Sequence, residues 1–162
     1  MLSQPPRDNA GVVNPHDHGE ILGDDVIIRR VNPAEHVYFD ENHQVNRLST
    51  KVMQPSSEPK GGMSIDHEPT LVEMGIDPRA FVTSPPMTAS VWLRAGAARE
   101  IGLQVGYDPI DPHNMAHCEV WGPIERPNRF SKGQQRKLLA TSEWYVELPG
   151  VVVCLADSGQ DQ

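Results

Sequence analysis

Long apolar runs are absent from this 162-residue sequence, and none approaches the roughly 20 residues that a membrane-spanning helix needs. The first ten residues also lack the apolar segment of a secretory signal. We therefore expect a cytoplasmic protein that makes no use of a membrane. The length, with 38% hydrophobic residues, supports one ordinary core but not two.

Cysteine is scarce as well, because Cys118 and Cys154 are the only two in the chain and form no CxxC pair. Each lies in an apolar, strand-like context, which is typical of a buried and reduced thiol. A disulfide or a reactive thiol is the alternative.

Basic residues are outnumbered, with 14 Lys and Arg against 22 Asp and Glu and a net charge of -8. This balance argues against a surface that binds nucleic acid in bulk, since phosphate neutralisation needs a basic footprint. Five of the basic residues are nevertheless concentrated between Arg126 and Lys137, with no acidic residue among them. They surround a predicted helix start at Ser131, where an anion is favoured, so we expect Lys132 and Arg136 to bind ligand. The alternative is an ordinary solvated helix face.

Four common motifs are missing: GxxxxGK[ST], GxGxxG after a strand, GxSxG and HExxH. The segment Arg47-Leu-Ser-Thr50 is similar to the Arg and Ser-Thr-Ser elements of some ADP-ribosyltransferases. No Glu-x-Glu follows it, however, so the sequence assigns no family.

Proline and glycine are abundant, with 15 and 13 residues, which favours short elements joined by shaped loops. We predict a single α+β domain over residues 23–155, with a mixed, mostly antiparallel sheet of about five or six short strands and one or two helices packed on it. Residues 1–22 are predicted to be a flexible arm, and residues 156–162 a flexible tail.

Two local patterns give the clearest element predictions. The β-branched run from Asp24 to Val31 predicts a strand, and Ser131-Lys-Gly-Gln134 has the form of a capping box that begins a helix. The segment from Thr88 to Ile101 fits either a strand followed by a short helix or one continuous helix.

The segment from Asp108 to Gly122 is predicted to be a rigid loop that runs into a strand. Pro109 and Pro112 restrict the loop, and a period of two from Ala116 onward predicts a half-buried strand. His113, Asn114 and His117 are therefore expected to be held in fixed positions, with His113 and Asn114 contacting ligand.

Histidine, arginine and hydroxyl side chains together can serve transfer or hydrolysis. We expect His117 to be an acid or base in catalysis, with His36 as a second acid or base. Ser49 is the candidate hydroxyl and Arg47 the candidate anion clamp. For each histidine, a purely structural role is the alternative.

A metal site built from Asp111, His113, His117 and Glu119 has suitable ligands but unsuitable geometry. Histidines four residues apart lie close together on one face only in a helix, whereas the prolines predict a loop and a strand. No metal is expected, and the sequence leaves any other cofactor unknown.

Two functions remain open. The first is binding of an anionic, phosphorylated or nucleotide-type ligand, with possible transferase or hydrolase chemistry at His117. The second is a non-catalytic module that meets a protein partner through an acidic surface or an edge strand. They are distinguished by whether His117, the Arg47 strand and the basic cluster converge on one concave surface.

Overall fold

The computed structural model describes residues 1–155, which form one α+β unit with two sheets. The strands are β1 (Val26–Val31), β2 (Val37–Asp40), β3 (Val45–Leu48), β4 (Met63–His67), β5 (Ala89–Arg94), β6 (Gln104–Tyr107), β7 (His117–Trp121), β8 (Glu143–Val146) and β9 (Val153–Cys154). The helices are α1 (Pro33–His36), α2 (Glu68–Glu73), α3 (Pro78–Phe81), α4 (Ala95–Glu100) and α5 (Lys132–Thr141), with a 3₁₀ turn at Thr50–Val52. The predicted fold class is confirmed. No helix among the described residues has the length and apolar character to cross a membrane.

The main sheet has six strands in the order β6-β7-β4-β1-β5-β8, and its neighbouring strands are antiparallel. A smaller sheet has the order β2-β3-β9, in which β9 runs parallel to β3. The sequence predicted a single sheet. The last strand joins the smaller one instead, because the chain after β8 returns to pair with Asn46 and Arg47.

The ambiguous segment from Thr88 to Ile101 is a strand followed by a helix. β5 pairs with β1 along its whole length, and its alternate residues Ala89, Val91 and Leu93 are buried in the core. A period of two therefore prevails over the helical period, since β5 lies between two neighbouring strands.

The N-terminal segment is packed on the main sheet, which corrects the prediction of a flexible arm for residues 1–22. Ile21 is fully buried, and the His18 amide donates to the Val105 carbonyl at 2.8 Å. The Asp17 carboxylate accepts from the Val105 amide at 2.9 Å, so the segment pairs with both backbone groups of one β6 residue. Local composition could not reveal these contacts, because their partners lie about 90 residues away. The predicted tail at 156–162 lies outside the described residues.

This packing also explains why β7 is buried on both faces rather than half-buried as predicted. Trp121 is 1% exposed, its indole donates to the Lys60 carbonyl at 2.8 Å, and its ring lies 5.5 Å from the ring of His16. A Cβ at Gly106 would lie 2.5 Å from Trp121 and 2.6 Å from the His16 carbonyl oxygen. Only glycine therefore allows the N-terminal segment to approach so closely.

Helix α5 begins with the predicted capping box. The Gln134 amide donates to the Ser131 hydroxyl at 3.0 Å, and the Ser131 amide donates to the Gln134 side chain at 2.8 Å. Leu138 and Leu139 are fully buried and hold the helix on the core.

The substitution Ser131→Ala should lower the free energy of unfolding by about 1 kcal/mol, because it leaves the first-turn amide of Gln134 without its acceptor. Urea unfolding monitored by circular dichroism measures this, with the exposed Lys132→Ala as a control expected to change little. Equal stability of the Ser131 variant and the unsubstituted protein would contradict the capping role.

Candidate functional site

The candidate site is a cavity where β1 and β4 separate. The β1–β4 ladder ends at the pair Ile28–Asp66, although β1 continues to pair with β5 as far as Val31. Arg29 bridges the gap, because its Nε donates to the Val52 carbonyl at 2.8 Å and its NH1 donates to the Ser64 carbonyl at 3.0 Å. The space beside this bridge is about 310 Å³ in volume.

The cavity gathers charged, polar and apolar side chains from both strands, from α1 and from the loop before β7. Its lining residues are Arg29, Arg30, His36, Ser64, Ile65, Asp66, Met87, Ile110, Asn114 and His117. Neighbours on a strand point to opposite faces, and both arginines reach the cavity because the sheet is open here. The structure therefore brings together three of the predicted site residues, His36, Asn114 and His117.

Arg30 is neutralised by Asp66, which is only 3% exposed. The Arg30 Nε donates to Asp66 Oδ2 at 3.0 Å, and the Asn114 amide nitrogen donates to Asp66 Oδ1 at 2.7 Å. Asn114 also accepts from the Ala116 amide at 3.0 Å, so it fixes the loop before β7 against β4.

Arg29 differs from Arg30, because no carboxylate within residues 1–155 forms an ion pair with it. Its two hydrogen bonds go to neutral carbonyl groups, which leaves three of its five N–H groups for other partners. Burial lowers the pKa of its guanidinium to about 10, and the more distant charges of Glu119 and Asp66 oppose this effect. A partly buried cation beside a cavity favours an anion there.

His117 is held with its second ring nitrogen available as a base. Its Nδ1 lies 2.7 Å from the Asp108 carbonyl oxygen. A carbonyl can only accept, so Nδ1 carries the proton and the neutral ring has an unprotonated Nε2. The Asp108 carboxylate lies 3.8 Å from Nδ1, where it stabilises the ring once Nε2 is protonated.

His36 has the opposite tautomer. Its Nδ1 accepts from the Asn32 amide at 3.0 Å, so the neutral ring carries its proton on Nε2. Burial, and then the nearby charge of Arg29, lower the pKa of the ring. His36 is consequently arranged as a neutral hydrogen-bond donor, a different role from the acid or base predicted from the sequence.

Glu119 lies behind the site on the same face of β7 as His117. It is 8% exposed, and its Oε2 has no hydrogen-bond partner among residues 1–155. Burial, followed by the negative charge of Asp108, raises the pKa of this carboxyl to about 7.

The other residues predicted for a site on β3 and in the loop do not line this cavity. Arg47 is buried and paired with Asp40 at 2.7 Å, so the side chain bridging the gap is Arg29 instead. The Ser49 hydroxyl caps the 3₁₀ turn by accepting from the Lys51 amide at 3.2 Å. His113 is exposed in the loop.

The basic cluster on α5 also lies apart from this cavity. Lys132 and Arg136 are exposed and absent from its lining. A separate cavity of about 530 Å³ at the start of α5 is lined by Arg126 and Arg129 together with Glu125. The capping box already uses the Gln134 amide there, which weakens the predicted anion site at this helix start.

One chain of hydrogen-bonded side chains is connected like a catalytic triad but has no accessible hydroxyl. It consists of Asp25, His67 and Thr70. The His67 ring contacts Asp25 at 2.9 Å and the Thr70 hydroxyl at 2.8 Å, but Thr70 is only 2% exposed. The chain of hydrogen bonds therefore ties α2 to the start of β1. No cluster of three or more potential metal ligands occurs within residues 1–155.

Arg29 and Arg30 line the cavity but were not among the site residues predicted from the sequence. Their signal was Arg29-Arg30 within the β-branched run Val26–Val31, because adjacent charges in a central strand need partners on both faces of the sheet.

Comparison with known proteins provides no assignment. No family model, no curated protein and no solved structure matches this chain. The geometry of the cavity is therefore the basis for any functional conclusion.

The substitution Glu119→Gln should stabilise the protein at alkaline pH. With a pKa raised from 4.5 to about 7, the folded state retains its proton where the unfolded chain has lost it, so stability falls as pH rises from 4.5 to 7. Gln removes this loss, and the variant should gain roughly 2 to 3 kcal/mol at pH 8 and little below pH 4.5.

Urea unfolding at pH 4.5 and pH 8 measures the difference, with the exposed Glu125→Gln as the matched control. A gain of the same size at both pH values would contradict a buried, titrating carboxyl at position 119.

Proposed function

We propose that the protein binds a small anionic, phosphate-bearing ligand between β1 and β4, and that His117 acts on it as a base in transfer or hydrolysis. The observation that carries this proposal is Arg29, a cation beside the cavity with no carboxylate paired to it in the described part of the chain. Its side chain is already fixed by two backbone carbonyl groups, so little side-chain entropy is lost when an anion binds.

The donors around the cavity suit an oxyanion. Arg29 has three N–H groups without a partner in the described part of the chain, and the tautomer of His36 presents a further N–H at Nε2. A guanidinium and a neutral imidazole that both donate can hold separate oxygens of one phosphate group.

His117 provides the acceptor that these donors lack. Its unprotonated Nε2 can remove a proton from water or from a hydroxyl of the ligand, and Asp108 stabilises the charged ring that results. The base is oriented by its own loop, so it requires no rearrangement to accept the proton.

The cavity volume favours a small molecule. At about 310 Å³ it lies at the lower end of ordinary ligand sites, which suits a mononucleotide or a sugar phosphate better than a dinucleotide. Ile65, Met87 and Ile110 form an apolar wall for the organic part of the ligand. The thiols of Cys118 and Cys154 are both unpaired, which supports a reducing compartment such as the cytoplasm.

A non-catalytic role in binding a protein partner is the second candidate. Tyr38 and Phe39 on β2 are 48% and 51% exposed, and Val152 beside β9 is 85% exposed. These apolar side chains lie on the smaller sheet, away from the cavity, and such exposure is typical of a surface that meets another protein.

The substitution Arg29→Met should weaken binding of methyl 4-nitrophenyl phosphate about tenfold or more, because it removes the cation and three donors. His117→Ala should retain binding and lose turnover, since the base acts on the proton of the nucleophile. Isothermal titration calorimetry and an assay of 4-nitrophenol release measure the two effects.

Lys132→Ala and Arg136→Ala serve as charge-matched controls, because both side chains are exposed outside the cavity. Arg29→Lys should bind with intermediate affinity, which separates loss of charge from loss of folding. Binding that responds to Lys132→Ala and not to Arg29→Met would contradict the assignment of the cavity.

A further inference from the structure

The charges around the cavity do not cancel. Arg30 and Asp66 form an ion pair at 3.0 Å, so their charges offset each other. Arg29 remains without a paired carboxylate among residues 1–155, and His36 and His117 are uncharged in the tautomers described above. The side chains that line the cavity therefore carry one net positive charge. Asp108 and Glu119 lie outside the lining, and Glu119 keeps its proton below its pKa of about 7.

We infer that the ligand is a singly charged phosphate diester rather than a doubly charged monoester. This inference rests on the proposed function and specifies its substrate class. A diester carries one negative charge, which Arg29 matches. A monoester carries about 1.5 to 2 negative charges near neutral pH, and its excess charge would lie close to Asp66 without a partner.

The histidines support the same substrate class. His36 accepts from the Asn32 amide at Nδ1, so it cannot give up its Nε2 proton without becoming an anion. It is therefore a hydrogen-bond donor to a non-bridging oxygen of the phosphate. His117 is the only one of the two rings arranged to carry a proton from one oxygen to another.

In the reaction, His117 acts first as a base and then as an acid. His117 Nε2 takes a proton from water as the water oxygen forms a bond to phosphorus. The bond from phosphorus to the leaving oxygen breaks, and that oxygen takes the proton from Nε2. The products are an alcohol and a phosphate monoester, and no oxidant or further reactant is consumed. Because the monoester has the greater negative charge, the cavity holds it less tightly than the substrate.

The test compares methyl 4-nitrophenyl phosphate with 4-nitrophenyl phosphate, which share the aromatic group and differ by one ionisable oxygen. Titration calorimetry at pH 6.5, where most of Glu119 keeps its proton, should show about tenfold tighter binding of the diester, and 4-nitrophenol should be released from it in a reaction that His117→Ala abolishes. At pH 5 the monoester has lost much of its second charge, so the ratio of the two affinities should fall toward one.

The possible outcomes separate this inference from the proposed function. Equal affinities at pH 6.5, or tighter binding of the monoester, would overturn the diester assignment and leave the anion site standing. Failure of both compounds and of inorganic phosphate to bind at low salt would overturn the proposed function itself.

The variant Asp66→Asn gives a second measurement. It raises the net charge of the lining by one and retains a side-chain oxygen to accept from Arg30. The preference should then shift toward the monoester. An unchanged preference in a folded Asp66→Asn protein would contradict charge matching, and the pH 5 comparison on the unsubstituted protein decides the question if the variant does not fold.

Discussion

The site depends on one interaction, the hydrogen bonds from Arg29 across the gap between β1 and β4. Beyond Ile28 these strands no longer pair, and an open seam in the middle of a sheet would leave backbone groups without partners. The guanidinium of Arg29 donates to the carbonyls of Val52 and Ser64, and so stabilises β1 and β4 where they are no longer paired. The same side chain thereby becomes a cation facing a cavity.

The rest of the fold supports that separation. Asp66, within β4, accepts hydrogen bonds from Arg30 and from Asn114, and the second of these attaches the loop before β7 to the edge of the gap. Since β7 follows this loop directly, His117 is fixed at the cavity by its bond to Asp108. Nδ1 of His36 accepts a hydrogen bond and Nδ1 of His117 donates one. The Nε2 atoms therefore give the cavity one donor, from His36, and one acceptor, from His117.

Local signals in the sequence were sufficient where the partners are local. The capping box at Ser131 and the loop that holds Asn114 and His117 involve hydrogen bonds between residues at most nine positions apart, so pattern and turn chemistry were enough to predict the helix start and the loop. The role of Arg29 could not be predicted in this way, because its partners lie 23 and 35 residues away in separate elements. The packing of the N-terminal segment could not be predicted for the same reason. Arg47, which was predicted to bind the anion, instead forms an ion pair with Asp40.

The tautomers of the two cavity histidines test the account most directly, because they decide which ring nitrogen can donate to the cavity and which can accept. Long-range ¹H–¹⁵N correlation of the side chains at pH 8, assigned with His36→Gln and His117→Gln, reports which nitrogen of each ring carries the proton. The account predicts a proton on Nε2 of His36 and on Nδ1 of His117. The same tautomer at both positions, or a His36 ring that is positively charged at pH 8, would contradict it.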